Sequence, residues 1–242
     1  QITGHENFSI SYLNETMVSA LTPSTIRDDV ATLYAVLEMN PFVINDPSGV
    51  IYANQDSEFM NTANYSDEFL TDRAAFLEWK IIYGKLDVSG PGMTPDRIYK
   101  DESTDLELGA VGGSTDLPDG VITFGRNVAG EAELLGGTNN RDHIYGQRGN
   151  DILVGGRNTD YLEGNDGDDT LYHNDNLDTL ADDNNVDLLI GGNGHDIYYV
   201  GLGDKIKDSD GDGEIRIGGQ SISLNNLSPV ADGSDLFTNN DP

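Results

Sequence analysis

Seven aspartates, Asp142, Asp151, Asp160, Asp169, Asp178, Asp187 and Asp196, fall at intervals of nine residues. Each is followed two places later by an apolar residue: Ile144, Leu153, Leu162, Leu171, Leu180, Leu189 and Tyr198. The chemistry open to carboxylates in a fixed phase is the binding of hard cations, since ionised carboxylates only accept. Sequence signatures of covalent or phosphate chemistry are missing: there is no G-x-S-x-G, no H-E-x-x-H, and no phosphate-cradling glycine loop followed by lysine. His143, His173 and His195 stand at different places within the nine-residue period, so they share no ligand geometry and read as exposed turn or edge residues.

The elements that would position these carboxylates follow from the composition of each period. Residues 137–199 divide into GTNNRDHIY, GQRGNDILV, GGRNTDYLE, GNDGDDTLY, HNDNLDTLA, DDNNVDLLI and GGNGHDIYY. The first half of a unit is rich in Gly and Asn, which tolerate tight turning, and the second half carries Ile, Leu, Val and Tyr, which suit a short strand. One turn and one strand make half a coil, so two units close a coil of eighteen residues, with equivalent residues stacked about 4.8 Å apart. This predicts Asp142 over Asp160, Asp151 over Asp169, Asp160 over Asp178, Asp169 over Asp187 and Asp178 over Asp196. Carboxylates about 5 Å apart repel by roughly 3 kcal/mol at an effective dielectric near 20. A Ca²⁺ ion, which takes six to eight oxygen ligands, reverses that sign, so folding and metal binding become one coupled event.

The units resemble the glycine-rich nonapeptide of the RTX (repeats-in-toxin) proteins, G-G-x-G-x-D-x-U-x. Residues 191–199 fit every consensus position except that Tyr198 replaces the aliphatic residue, while 146–154 and 164–172 keep the first and fourth glycines and the aspartate. The resemblance implies a right-handed parallel β-roll holding several Ca²⁺ ions in its turns, in an exported bacterial protein using type I export machinery. It points to the seven aspartates as metal-site residues, together with Gly146, Gly149, Gly155, Gly164, Gly167, Gly192 and Gly194. Asn140, Asn158, Asn176 and Asn185 replace the fourth glycine, a tolerable change because Asn also enters the left-handed region. His173 and Asp182 replace the first glycine, with Leu177 and Val186 in the turns, so weaker or missing ions are expected there.

Composition narrows the class further. A formal charge of −30 and a pI near 4.1 disfavour nucleic acid and anionic membrane surfaces as partners. The absence of cysteine excludes disulfides, Cys-based zinc sites and thiol catalysis. No run approaches the eighteen apolar residues of a membrane span, and a chain opening on Gln1 reads as a piece of a longer protein.

The flanking regions read as α+β: a small helical region over 1–88, a loop-rich lead-in and N-terminal cap over 89–136, the β-roll over 137–200, and a C-terminal β cap and tail over 201–242. Ile26, Val30, Leu33 and Leu37 predict one helix after Thr22-Pro23, ended by Asn40-Pro41. A second is expected over 66–83, with Gly84 as its stop, and short strands over 50–52 and 121–124. Glu133 and Leu135 fall in phase one unit early, as a degenerate cap. The run 208–213, D-S-D-G-D-G, spaces Asp208, Asp210 and Asp212 like an EF-hand loop, although its twelfth position is Gly219 rather than Glu. Ile215 and Ile217, and then 221–224, read as strands.

Three functions fit these features. The first is a calcium-folded module of a larger secreted or cell-surface protein, attached to an upstream effector domain. A second comes from I-T-G-H-E-N-F at 2–8 and DRAAFL at 72–77, which are similar to the region after the catalytic histidine in some RTX-bearing lipase-like proteins. That resemblance implies His5 as the general base of a Ser/His/Asp hydrolase whose serine lies upstream, so that this chain alone is no enzyme. The third is a segment of an adhesin or toxin.

Overall fold

The computed structural model describes residues 9–46, 52, 60–85, 97–109, 120–173, 186–201, 203–217, 220–224, 227–229 and 237–239. The chain divides into two compact units, residues 1–95 and 96–242, and each is described by itself.

In the first unit, strand β1 (Ser9–Tyr12) pairs antiparallel with β2 (Phe42–Asn45). Between them run α1 (Glu15–Val18), α2 (Pro23–Asp28) and α3 (Val30–Leu37), and α4 (Asp67–Lys85) follows. The expected single helix through Ile26 and Leu37 is thus two helices. Asp29 interrupts it with an extended backbone, φ −126° and ψ 106°, and its carboxylate accepts from the Ala31 N–H and the Thr32 hydroxyl. A short acidic side chain that bonds its own backbone favours a cap over a helix interior. Thr22 and Thr25 form a reciprocal capping box with Pro23 in the first turn, which fixes the start of α2. Gly84 does not stop α4, which continues to Lys85. Ile26, Leu33, Val36, Leu70, Phe76 and Leu77 are buried in this unit. The Arg73 guanidinium and the Lys80 ammonium donate to the carbonyls of Leu37 and Met39 at the end of α3, where cations complement the helix dipole. The strand expected over 50–52 falls mostly outside the described residues, and Tyr52 itself lies in a turn.

The second unit is mostly sheet, with parallel strands. One seven-stranded sheet runs in the order β13 (Lys205–Lys207), β11 (Leu188–Asn193), β9 (Tyr161–Asp166), β7 (His143–Arg148), β5 (Val121–Phe124), β3 (Ile98–Asp101), β4 (Leu106–Leu108). A six-stranded sheet runs β15 (Gln220–Ser223), β14 (Gly213–Ile217), β12 (Asp196–Tyr199), β10 (Thr170–Tyr172), β8 (Ile152–Val154), β6 (Leu134–Gly136). From β5 to β14, successive strands alternate between the two sheets, as one turn and one strand per unit requires. Only β4 and β15 pair antiparallel in these sheets, and β16 (Leu227–Pro229) and β17 (Phe237–Asn239) form a separate antiparallel pair.

Side-chain alternation supplies the core. Apolar residues point inward two places after the described ladder aspartates, and after Glu133 and Gly213 in the same register, so Ile144, Leu162, Leu189 and Ile206 stack along one sheet and Leu135, Leu153, Leu171, Tyr198 and Ile215 along the other. Leu135 through Tyr198 are at most 4% exposed and make one cluster with Val200. Leu135 sits in β6, in phase, and β3 and β5 from the lead-in continue the longer sheet.

The register departs from the sequence expectation at one place. Tyr161 pairs with Leu188 and Thr170 with Ile197, so these neighbours are 27 residues apart in sequence where 18 was expected. One additional nine-residue unit therefore lies between β10 and β11, and strands that would have alternated differently exchange sheets. The units concerned begin with His173 and Asp182, which lack the first glycine, and 174–185 fall outside the described residues.

Because Leu171 is fully buried in the central layer of that cluster, Leu171→Ala should destabilise the calcium-loaded unit by about 2–5 kcal/mol, read from denaturant unfolding. Leu134→Ala, at a side chain 72% exposed in the same sheet, should leave the midpoint nearly unchanged.

Candidate metal centre

The turns between strands form two ladders, and an aspartate closes each rung. In the first, the backbone N–H of Asp142 donates to Asp160 Oδ1 at 2.9 Å, that of Asp160 to Asp187 Oδ1 at 2.7 Å, and that of Asp187 to Asp204 Oδ1 at 3.0 Å. In the second, the Glu133 N–H donates to Asp151 Oδ1 at 2.8 Å, the Asp151 N–H to Asp169 Oδ1 at 2.8 Å, and the Asp169 N–H to Asp196 Oδ1 at 2.9 Å. The side chain of one rung thereby satisfies the main chain of the rung before it. Two of the five predicted stacks, Asp142 with Asp160 and Asp151 with Asp169, are present. The other three are corrected by the additional unit: Asp160 meets Asp187 rather than Asp178, Asp169 meets Asp196 rather than Asp187, and Asp178 lies outside the described residues.

One oxygen of each carboxylate is thus committed to the fold, and the other is held in the turn. The Oδ2 atoms of Asp151, Asp169 and Asp196 are buried and make no hydrogen bond. Their positions explain the first glycine of the unit. A Cβ at Gly146 would lie 2.8 Å from Asp151 Oδ2, and one at Gly155 would lie 2.5 Å from Asp160 Oδ2. A Cβ at Gly164 would overlap Asp169 Oδ2 outright. The fourth glycine serves a different end: Gly167 at φ +139° and Gly194 at φ +127° bring each turn against the backbone carbonyl of the rung before, Gly149 and Gly167 respectively. Gly149 and Gly192 likewise have positive φ and lie close to the Glu131 and Asn165 carbonyls. Asn158, in place of a fourth glycine, keeps φ at +69°.

Burial raises the pKa values of these carboxylates. Asp151 is pushed up to about 6, chiefly by removal from water. Asp196 reaches about 7 and Asp169 about 8, again by burial first, with neighbouring carboxylates adding to it. Asp142 is raised by the same cause, partly offset by donors from Thr138 and Val121. Buried, orphaned carboxylate oxygens beside backbone carbonyls are the donor set of a hard cation, and the residues fit Ca²⁺ on that ground.

Other candidate residues fall elsewhere. Asp208 accepts from the Tyr198 hydroxyl at 2.6 Å and the Gly211 N–H at 2.6 Å, and Asp210 accepts from the Gly194 N–H at 3.0 Å. Asp212 Oδ1 lies 2.9 Å from His195 Nδ1, whose pKa that contact raises. These oxygens tie the 208–213 loop to the last turn, and Gly219 lies outside the described residues. His5 also lies outside them. Sequence reasoning missed Asp204, a rung of the first ladder. The signal was there, since Ile206 follows two places later, but Asp187 and Asp204 are 17 residues apart and the missing residue moves the pair off the nine-residue phase.

Comparison with known families agrees with this geometry. Residues 136–172 and 173–204 each match the family described as RTX calcium-binding nonapeptide repeat (4 copies), so this span carries calcium-binding repeats of the RTX type. Such repeats bind calcium and imply a calcium-binding module of a secreted protein. No curated protein and no solved structure is significantly similar to the chain. Among the described residues, no helix is long and apolar enough to cross a membrane.

Two outcomes test the site. In metal-free buffer, the folded unit retains protons that the unfolded chain has already released above its ordinary value of 3.8. Stability from these groups is therefore fully present below about 3.8 and is lost as pH rises through about 6, 7 and 8. Circular dichroism against pH should show that loss, and Asp169→Asn should remove its most alkaline part. Gly164→Ala should raise the calcium midpoint for folding by at least about tenfold, since its methyl group must displace Asp169 Oδ2.

Proposed function

We propose that residues 96–242 are a right-handed parallel β-roll whose turns hold Ca²⁺ through the ladder aspartates and adjoining carbonyls, and that this roll folds only after export. The observation that carries the reading is the set of buried Oδ2 atoms of Asp151, Asp169 and Asp196 that no donor meets. At neutral pH the charged ladders oppose their own burial, so the metal-free chain is held open by its carboxylates. An ion at each rung turns that opposition into attraction.

The surroundings then decide the state. Extracellular modules bind calcium with dissociation constants of roughly 10⁻⁴ to 10⁻³ M, far above cytosolic levels. A chain with a net charge of −30 would remain extended in the cytosol, suited to passage through a type I export channel, and fold on reaching external calcium. The roll would serve a larger secreted bacterial protein as the part that folds first and stabilises what it is attached to.

Titrating calcium into chelator-treated protein should produce a cooperative rise in β-sheet circular dichroism in the millimolar range, with magnesium ineffective because it demands a smaller, octahedral site. An equally β-rich spectrum in excess chelator at neutral pH would overturn the coupling of folding to calcium.

A further inference from the structure

One rung differs chemically from the others. In the first ladder, Gly137, Gly155 and His173 begin successive turns: the Gly137 N–H donates to the Val154 carbonyl, Gly155 N–H to Tyr172, and His173 N–H to Tyr199. At Gly137 a Cβ would meet the Gly155 carbonyl oxygen and the turn's own carboxylate, Asp142 Oδ2 at 2.6 Å, and at Gly155 it would meet Asp160 Oδ2 at 2.5 Å and the His173 carbonyl oxygen at 2.8 Å. At His173 an imidazole enters that space instead. Its Nδ1 stands 3.8 Å from Asp187 Oδ2 and 3.6 Å from Asp204 Oδ2, and all three atoms lie within 4.8 Å of one another.

The side chains of His173, Asp187 and Asp204 are 6%, 0% and 2% exposed. Separations of 3.6 and 3.8 Å exceed the hydrogen-bond range of about 2.7–3.2 Å. The 3.6 Å separation fits the edge between two ligands of one ion, and the 3.8 Å separation is slightly longer than that edge. At bond lengths of about 2.1 Å, donors at tetrahedral to trigonal angles lie about 3.4 to 3.6 Å apart. The carboxylates are braced for this role. Asp187 Oδ1 accepts from the Asp160 N–H, Asp204 Oδ1 from the Asp187 N–H, and Asp204 Oδ2 also from the Gly201 N–H at 2.8 Å. Outer donors of this kind fix the orientation of metal-binding carboxylates.

We propose that His173 Nδ1, Asp187 Oδ2 and Asp204 Oδ2 form a site for one borderline divalent transition ion of the Zn²⁺ class, chemically distinct from the calcium turns. Calcium takes oxygen donors, whereas an imidazole nitrogen with two carboxylates selects zinc, cobalt or nickel, with water completing the coordination. The site lies at the residue that replaces the first glycine, so the ion ties His173 to two aspartates of the first ladder. The inference shares two aspartates with the calcium reading but turns on the histidine.

The test is run on the full chain in saturating calcium, with Co²⁺ as a spectroscopic probe and Zn²⁺ followed by calorimetry. One equivalent of Co²⁺ should bind with visible d–d absorption and be displaced by Zn²⁺. His173→Gly, which restores the repeat's own residue, should weaken Zn²⁺ binding by at least about 100-fold, beyond the roughly 10–100-fold of an outer-shell loss. Its calcium-dependent folding should persist, and His173→Gln provides a second variant of similar bulk. Zn²⁺ binding unchanged by either variant, or no Co²⁺ binding by the calcium-loaded wild type, would overturn the site. Failure of the wild type to fold with calcium would instead overturn the function proposed above, since circular dichroism reads that step separately.

Discussion

Like-charged carboxylates are stacked at the spacing of neighbouring strands, and everything else in residues 96–242 accommodates that fact. The strands cannot pair in register unless Asp151, Asp169 and Asp196 come together in the turns, and burial, with neighbouring carboxylates adding to it, drives their pKa values to about 6, 8 and 7. Part of the difficulty is answered internally. Each Oδ1 accepts a main-chain N–H from the adjoining rung, converting one half of every carboxylate into scaffold. The other half remains directed into a turn lined by carbonyls, and that division between scaffold and ligand is what a calcium-binding repeat requires.

The glycines follow from the same geometry. Those at the first position exist because a carboxylate oxygen occupies the space a side chain would take, while Gly167 and Gly194 exist because successive turns press backbone against backbone. Two different physical demands thus produce one recurring residue type. The apolar ladder from Leu135 to Tyr198 contributes burial but no selectivity, since its contacts are those of any closely packed sheet pair.

Much of this was legible in the sequence because the period is short and each position has one duty. The aspartates, the inward apolar residues and the alternation of strands could be read from phase alone. What could not be read was any change of phase. The additional unit between β10 and β11 preserves the nine-residue count, so the letters continue in step while the strand pairing does not. The missing residue before Asp204 does the reverse, leaving the ladder of hydrogen bonds intact and breaking the count. In the helical unit, Asp29 illustrates a third limit. An apolar stripe at helical spacing continues through it, yet its carboxylate competes for the backbone and divides the helix. Periodicity reports which face is buried and is silent about local bonding that outweighs it.

The two parallel sheets end unevenly, and the manner of ending bears on solubility. A stack of identical rungs presents at each edge a template for another copy of itself, the geometry from which fibres grow. One edge of each sheet is closed by a reversed strand, β4 on the longer and β15 on the shorter, so the next parallel strand finds the wrong polarity. The remaining edges are β13, whose Lys205 and Lys207 are exposed in an otherwise acidic chain, and β6, only three residues long. Lysines and brevity at a sheet border impede strand addition. A stack of repeated strands is thereby directed to complete itself and to stop, instead of polymerising with its neighbours.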